Sequence, residues 1–373
     1  MQAPPVRNFS LQQILDTMAD GVYVADRDRR IIFWNKSAER LTGWLAEDVV
    51  GHSCRDNILC HVDKDGHHMC GEEYCPLHRS IVTGNATTEP VIAFAQRKDG
   101  SRAPFEISIA PIRDDTGEVV AAVETFHDLN VQMLDLERAR KIQREALPQT
   151  FPASEHFAFR VHYMPQGMIG GDFYAVNVQD SGAVLILIAD IMGHGVAAAL
   201  YTMYLRSIWE EQRNLQDDPL EFLAILNDRL HRLVYRDNAF ATAALMRFDP
   251  ATGRLEVAGA GQNCPLVFRT DGTVDKLMTA GLPLGLIPDA PYDKIEYTLA
   301  PGDVLLACTD GAVEIDNDKG EELGDDGLIA LLKELGYPNH KVRFSLVDEA
   351  LLRYSNDIRL RDDVTLLEMR YLG

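Results

Sequence analysis

Residues 185–195, LILIADIMGHG, decide how the C-terminal part of this chain is read. An unbroken apolar run delivers a single aspartate, Asp190, into a turn containing Gly193 and Gly195. Such a run bounded by turn residues is the pattern of a strand buried on both faces. An acidic group at its end is mounted rigidly in the loop layer, where ligands bind. The pattern recurs at 304–314, VLLACTDGAVE, which delivers Asp310 to Gly311. A third site is the pair Asp362 and Asp363, which opens the last strand in RDDVTLLEMRY, 361–371. A fourth is Asp172 in IGGDFYAV, 169–176, where Gly170 and Gly171 allow close backbone approach. Carboxylates gathered in this way repel one another unless they are protonated, turned outward or bridged by a cation. Mg²⁺ and Mn²⁺ take oxygen ligands, and a bridged pair of such ions activates water. Any one of these aspartates alone reads as a turn or cap residue; the set reads as a metal centre. No GxSxG, HExxH or GxxxxGK[ST] motif competes with it.

Working outward, strand patterns fall at Ala183–Asp190, Ala241–Asp249, Arg254–Gly259, Pro265–Arg269, Asp303–Asp310 and Asp363–Tyr371, and helical ones at Val196–Gln212, Leu220–Tyr235, Gly327–Leu335 and Val342–Tyr354. This order suits packed sheets covered by helices. Upstream, LNVQMLDLERARKIQREAL (129–147) is a helix free of Gly and Pro, with Leu129, Met133, Leu136 and Leu147 on one stripe that Arg140 and Gln143 interrupt. The stripe suits pairing with a second copy. Before it, strand patterns at Gly21–Ala25, Ile31–Asn35, Val91–Gln96, Arg102–Pro111 and Val119–His127, with KDG and DDTG turns, form a separate compact α/β section. The chain is thus α/β multidomain: a tail over 1–9, a section over 10–128, a connecting helix over 129–150 and a section over 151–373.

The 57 acidic residues outnumber the 36 basic ones, giving a formal charge of −21. Nucleic-acid binding, which needs clustered Lys and Arg, is not expected. No apolar run reaches the length of a membrane span and MQAPPVRNFS lacks a signal-peptide core, so the expectation is no membrane and a cytoplasmic location.

In order, QREALPQTFP, IGGDFYAV, ADIMGHGVAAAL, GAGQNCPLVF, GLPLGL, LLACTDGAVE and RDDVTLLEMRY resemble the SpoIIE/RsbU branch of the PPM protein phosphatases over 144–371. The resemblance implies an α/β/β/α sandwich with two Mn²⁺ or Mg²⁺ ions between the sheets. Asp190 would bridge the ions, the carbonyl of Ile191 would be a further ligand, and Asp310 and Asp362 would bind the same pair. Asp172 and Asp363 would support them beside Gly171 and Gly311, with Asp362 preferred over Asp363 as the direct ligand. His194 is either a general acid or a turn-packing residue, because DIMGHG is longer than the family's usual turn. The implied reaction is hydrolysis of phosphoserine or phosphothreonine by metal-activated water, and the implied substrate is a phosphorylated STAS anti-anti-sigma-type protein in a partner-switching pathway. The string GGDF (170–173) resembles the GGDEF motif of diguanylate cyclases, but Phe173 stands in place of the glutamate, which rejects that reading.

DGVYVADRDRRIIFWNKSAERLTGW followed by FEISIAPIRDDTGEVVAAVETFHDL resembles a PAS domain over 10–128. That implies a sensor which dimerises and signals through the connecting helix. Within it, Cys54, Cys60, Cys70 and Cys75 fall within 22 residues alongside His52, His61, His67, His68 and His78. Three readings stand: a zinc or iron–sulfur site, a thiol–disulfide switch, or unliganded cysteines covering the PAS pocket. Cys264 and Cys308 read as core residues. A scaffold with an inactive phosphatase fold is the alternative function. A histidine kinase is not expected, since the linker carries no phosphoacceptor histidine.

Overall fold

The computed structural model describes residues 9–373 except 55, 57, 64–65, 71–74, 88–89, 194, 213–217, 235–238, 340 and 356–359. The chain divides into two compact units, 1–135 and 136–373.

The first unit contains α1 (Leu11–Thr17), β1 (Gly21–Asp26), β2 (Ile31–Trp34), α2 (Lys36–Thr42), α3 (Ala46–Val49), α4 (Pro76–Thr83), β3 (Val91–Gln96), β4 (Arg102–Arg113) and β5 (Val119–Asp128). Its strands form one antiparallel sheet, ordered β2-β1-β5-β4-β3. Phe105, Ile107 and Ile109 on β4 are buried at every second position, the period at which a pleated strand presents one face to a core. Buried Asn35 joins three segments: its Oδ1 accepts from the N–H groups of Val22 and Ala38, and its amide donates to the carbonyls of Leu15 and Asp20. It caps α2.

Helix α5 (Asn130–Ala146) follows, and the second unit continues with β6 (Phe157–Met164), β7 (Asp172–Val178), β8 (Val184–Ile191), α6 (Val196–Glu211), α7 (Pro219–Val234), β9 (Ala241–Asp249), β10 (Arg254–Ala260), β11 (Leu266–Phe268), β12 (Val274–Lys276), β13 (Lys294–Thr298), β14 (Val304–Cys308), α8 (Gly324–Glu334), α9 (Ser345–Ser355) and β15 (Val364–Tyr371). Two five-stranded antiparallel sheets result, β13-β10-β9-β8-β7 and β12-β11-β14-β15-β6. Alternation along β14 explains the layering. Leu305 and Ala307 belong to the core that contains Val184–Ala189 of the other sheet, whereas Val304, Leu306 and Cys308 belong to a second core with Leu328 and Leu332 of α8 and Val347 and Leu351 of α9. On the opposite side, Phe222, Leu226, Leu230 and Val234 make the four-residue stripe that seats α7 on the first sheet. The arrangement is an α/β/β/α sandwich, and β8, buried on both faces, lies inside it.

Candidate metal centre

The carboxylates meet where both sheets end. Asp172 opens β7 directly opposite Asp190 near the end of β8. From the second sheet, Asp310 begins a short 3-10 turn just after β14, and Asp362 and Asp363 immediately precede β15. Two buried threonines join the sheets at this point. Thr309 and Thr365 both donate to Asp172 Oδ2, at 2.9 and 2.5 Å, and the Thr365 N–H donates to Thr309 Oγ1 at 2.9 Å.

The two members of the aspartate pair sit differently. Asp363 is buried, its Oδ1 accepting from the Gln166 N–H at 2.6 Å and its Oδ2 from the Gly171 N–H at 2.5 Å. Both its oxygens therefore hold the backbone of the β6–β7 loop. Asp362 is exposed and flanks, with Asp310, a cavity of about 100 Å³. Two glycines permit this crowding. A Cβ on Gly171 would stand 2.9 Å from the Ile191 carbonyl oxygen, and one on Gly311 would stand 2.0 Å from that of Asp363.

Burial drives the pKa of Asp190 up, reinforced by the charges of Asp172, Asp310 and Asp362. Asp172 is raised chiefly by burial, with the threonine hydroxyls acting in the opposite direction. Burial and then Asp362 raise Asp310. Asp172 Oδ1 and Asp310 Oδ1 are buried with no hydrogen-bond partner. Unsatisfied oxygens among mutually repelling carboxylates are a donor set suited to hard divalent cations. Among the described residues no three His, Cys, Asp or Glu side chains are already drawn together tightly enough to cage an ion, so binding would pull these oxygens inward. His194 lies outside the described residues.

Gln143, which interrupts the apolar stripe of the connecting helix, was given no role by the sequence reading, yet it reaches the turn beside Asp172. It is buried; its amide donates to the Gly170 carbonyl at 2.7 Å and to Thr202 Oγ1 of α6 at 3.2 Å, and its Oε1 accepts from the Gly170 N–H. A polar residue inside an apolar helical stripe was the available signal. Leu147 of the same stripe is buried in the core of the second unit, leaving Val131, Leu134 and Ile142 as exposed apolar residues of α5.

In the first unit, Cys54, Cys70 and Cys75 line one small cavity together with His61, and Cys60 is not among the lining residues. The grouping differs from the four-cysteine set of the sequence. Cys60 and His61 are consecutive, and it is His61 that lines the cavity. No disulfide joins the six cysteines. An iron–sulfur or zinc site made of the four cysteines gains no support from this geometry.

Sandwich and carboxylate cluster together define the chain's second unit as a PP2C-type domain. Comparison agrees: the fold matches the SiaA-PP2C domain of Pseudomonas aeruginosa at TM-score 0.57 and 25% identity, over 65% of this chain and 99% of that one. The chain belongs to the stage II sporulation protein E (SpoIIE) family, whose profile matches residues 180–372, and a PAS domain profile matches 19–130. Among relatives, phosphoserine phosphatase RsbP of Bacillus subtilis (strain 168) is 28% identical over 183 residues, 48% of this chain and 45% of that protein. Phosphoserine phosphatase RsbU of the same organism is 25% identical over 237 residues, 63% of this chain and 70% of that protein. The chain thus matches under half the length of the first relative.

Proposed function

We propose that this chain is a sensor-regulated, metal-dependent protein serine/threonine phosphatase, with a PAS sensor over 10–128, a connecting helix over 129–150 and the phosphatase over 151–373. The observation that carries the reading is the convergence of Asp172, Asp190, Asp310 and Asp362 at the ends of two sheets, with one oxygen each of Asp172 and Asp310 buried and unpaired. Asp190, Asp310, Asp362 and the Ile191 carbonyl would hold two Mn²⁺ or Mg²⁺ ions. Bound there, the ions supply a water acidified near neutral pH and neutralise charge on the phosphoryl oxygens. The chain's own contribution is rigidity: Thr309 and Thr365 fix Asp172, and Asp363 fixes the loop carrying Gln166 and Gly171.

The relatives' names point to phosphoserine, and a phosphorylated STAS-type protein in a cytoplasmic partner-switching pathway is the proposed substrate. Among the described residues no helix is long and apolar enough to cross a membrane. Gating through the connecting helix rests on Gln143, which ties that helix both to the Gly170–Gly171 turn and to α6. Homodimerisation rests on the exposed apolar Val131, Leu134 and Ile142 of that helix. The test is release of phosphate from a phosphoserine STAS protein by the full chain with Mn²⁺. We expect turnover on phosphoserine and little on a phosphotyrosine peptide; the reverse preference would refute the assignment.

A further inference from the structure

The first unit contains a second cluster of metal-ligating side chains, built from other chemistry. Cys54, His61, Cys70 and Cys75 line one cavity of about 10 Å³. The local fold explains how residues up to 21 positions apart meet. The Cys54 N–H donates to the Arg29 carbonyl, which pins that segment to the β1–β2 turn. A bridge between Val62 and His68, with Met69 N–H donating to the His61 carbonyl, folds the chain back on itself. The return places Cys70 Sγ 3.2 Å from the His61 N–H, which donates to it. Cys75 is the residue from which α4 starts.

The wall opposite is polar. Glu124, in the middle of β5, is 1% exposed. Its Oε2 accepts from the Tyr23 hydroxyl at 2.9 Å, while Oε1 has no hydrogen-bond partner and lies 3.7 Å from His61 Nε2. Buried cysteines alone need no explanation beyond their size and apolarity. A buried carboxyl beside a buried imidazole, in a cavity that buried Arg29 also lines, is a polar wall costly to desolvate. A carboxylate behind a histidine is the usual support for a metal-bound imidazole, fixing the tautomer by taking one ring N–H and leaving the other nitrogen for the ion. Here Glu124 Oε1 stands 3.7 Å from Nε2, just beyond hydrogen-bond length, which leaves Nδ1 for the ion. Burial pushes the Cys70 thiol up to about 12, and backbone N–H donation to its sulfur acts against this, favouring the charged form.

We propose that the PAS unit binds one soft divalent transition-metal ion, zinc or ferrous iron, through the thiolates of Cys54, Cys70 and Cys75 and through Nδ1 of His61. Three sulfurs and one nitrogen are a tetrahedral set for such ions. The cavity, about 10 Å³, suits a single ion better than a cluster. No three of the donors stand at coordination distance in this structure. Binding draws their side chains inward and displaces the thiol protons to solvent.

The test uses the full chain purified without oxygen, carrying Asp190→Asn and Asp310→Asn so that the carboxylate centre cannot account for bound metal. Elemental analysis should give about one zinc or iron per chain, and which element is found tells the two apart. That metal should fall below a tenth in Cys75→Ser and in His61→Ala, and remain in Cys60→Ser. Glu124→Gln, which keeps the side-chain shape, should still bind but with affinity reduced about 10- to 100-fold, as for loss of an outer-shell partner. Reconstitution with Co²⁺ should give sulfur-to-cobalt charge-transfer bands that weaken in Cys54→Ser. Three results would overturn the proposal: no zinc or iron together with no cobalt bands, equal loss in Cys60→Ser and Cys75→Ser, or a disulfide between two of the three cavity cysteines in the native protein.

Discussion

Removing divalent cations from the second unit should destabilise it increasingly as pH rises, and replacing Asp190 by Asn should relieve the effect. Asp172 and Asp190 both have folded-state pKa values above the unfolded carboxylate value near 4. A group raised in the folded state binds its proton more tightly there. Its contribution to stability is fully present below the unfolded pKa and is lost as pH rises through the folded one. For Asp172 that window runs upward from about pH 4 to about 8. In EDTA the melting temperature of the 136–373 unit should therefore fall between pH 5 and pH 8. Mn²⁺ at 100 times its dissociation constant should restore about 2.7 kcal/mol. For a unit of this size each kcal/mol shifts the midpoint by about 2–4 °C, so the expected rise is about 5–11 °C. Asp190→Asn removes the most strongly displaced carboxyl. It should raise the metal-free stability at pH 8 by about 1 kcal/mol or more, since one pKa unit corresponds to about 1.4 kcal/mol, while shrinking the Mn²⁺ shift. Scanning calorimetry at pH 5 and 8, with EDTA or Mn²⁺, reads all of this. A metal-free midpoint that is flat or rises between those pH values, or an Asp190→Asn protein that melts lower than wild type in EDTA at pH 8, would refute the reasoning.

Other outcomes follow from the packing. Gly171→Ala places a Cβ against two backbone carbonyls, those of Ile191 and Gly193, and against Ala198 Cβ; we expect phosphatase activity to fall at least tenfold with the far-UV circular dichroism unchanged, and normal activity would contradict the close approach. Gln143→Ala leaves the Gly170 N–H and carbonyl without their partner, so the Mn²⁺ concentration giving half-maximal activity should shift, whereas Lys141→Ala on the exposed side of the same helix should leave it alone. An unchanged Mn²⁺ requirement in Gln143→Ala would remove the proposed route from sensor to site. Asn35→Ala strips four hydrogen bonds from the buried junction of α1, β1 and α2. At about 1–3 kcal/mol per orphaned group, it should lower the calorimetric transition of the first unit and leave that of the second in place.

Much of the second unit was legible in the sequence because its central strands are continuously apolar. Val184–Ile191 and Val304–Cys308 differ from the expected spans by a residue or two at their ends, and Ala241–Asp249 matches. Strand β6 was not read, since Phe157–Met164 is only half-buried and carries Arg160 and His162, which pair with Glu368 and Asp348 across its outer face. No pattern of apolar residues announces a strand whose polar groups are neutralised by partners some 200 positions away. In the first unit, α2 to α4 were not read either: they are at most eight residues long, too short for a helical period to register. At the centre, the aspartates stood out because each follows or precedes a buried strand. What the sequence left open was how the side chains at 362 and 363 are placed, because the burial of Asp363 depends on two backbone N–H groups of the β6–β7 loop, almost 200 positions away. Gln143 shows the reverse case, a residue visible in the sequence as a flaw in a stripe whose partners only the fold supplies. Of the four clustered cysteines, spacing gave no means to see that His61 lines the cavity and Cys60 does not, because that depends on which side chains of the 54–75 segment turn inward.

The most direct test of the central claim is hydrolysis of p-nitrophenyl phosphate by the full chain with Mn²⁺, beside Asp190→Ala and Asp310→Ala. We expect turnover that requires Mn²⁺ or Mg²⁺, stops in EDTA, and drops by at least about 100-fold in both variants, as when a transition-state charge stabiliser is removed. Hydrolysis that persists in EDTA, or that survives either substitution, would contradict the claim.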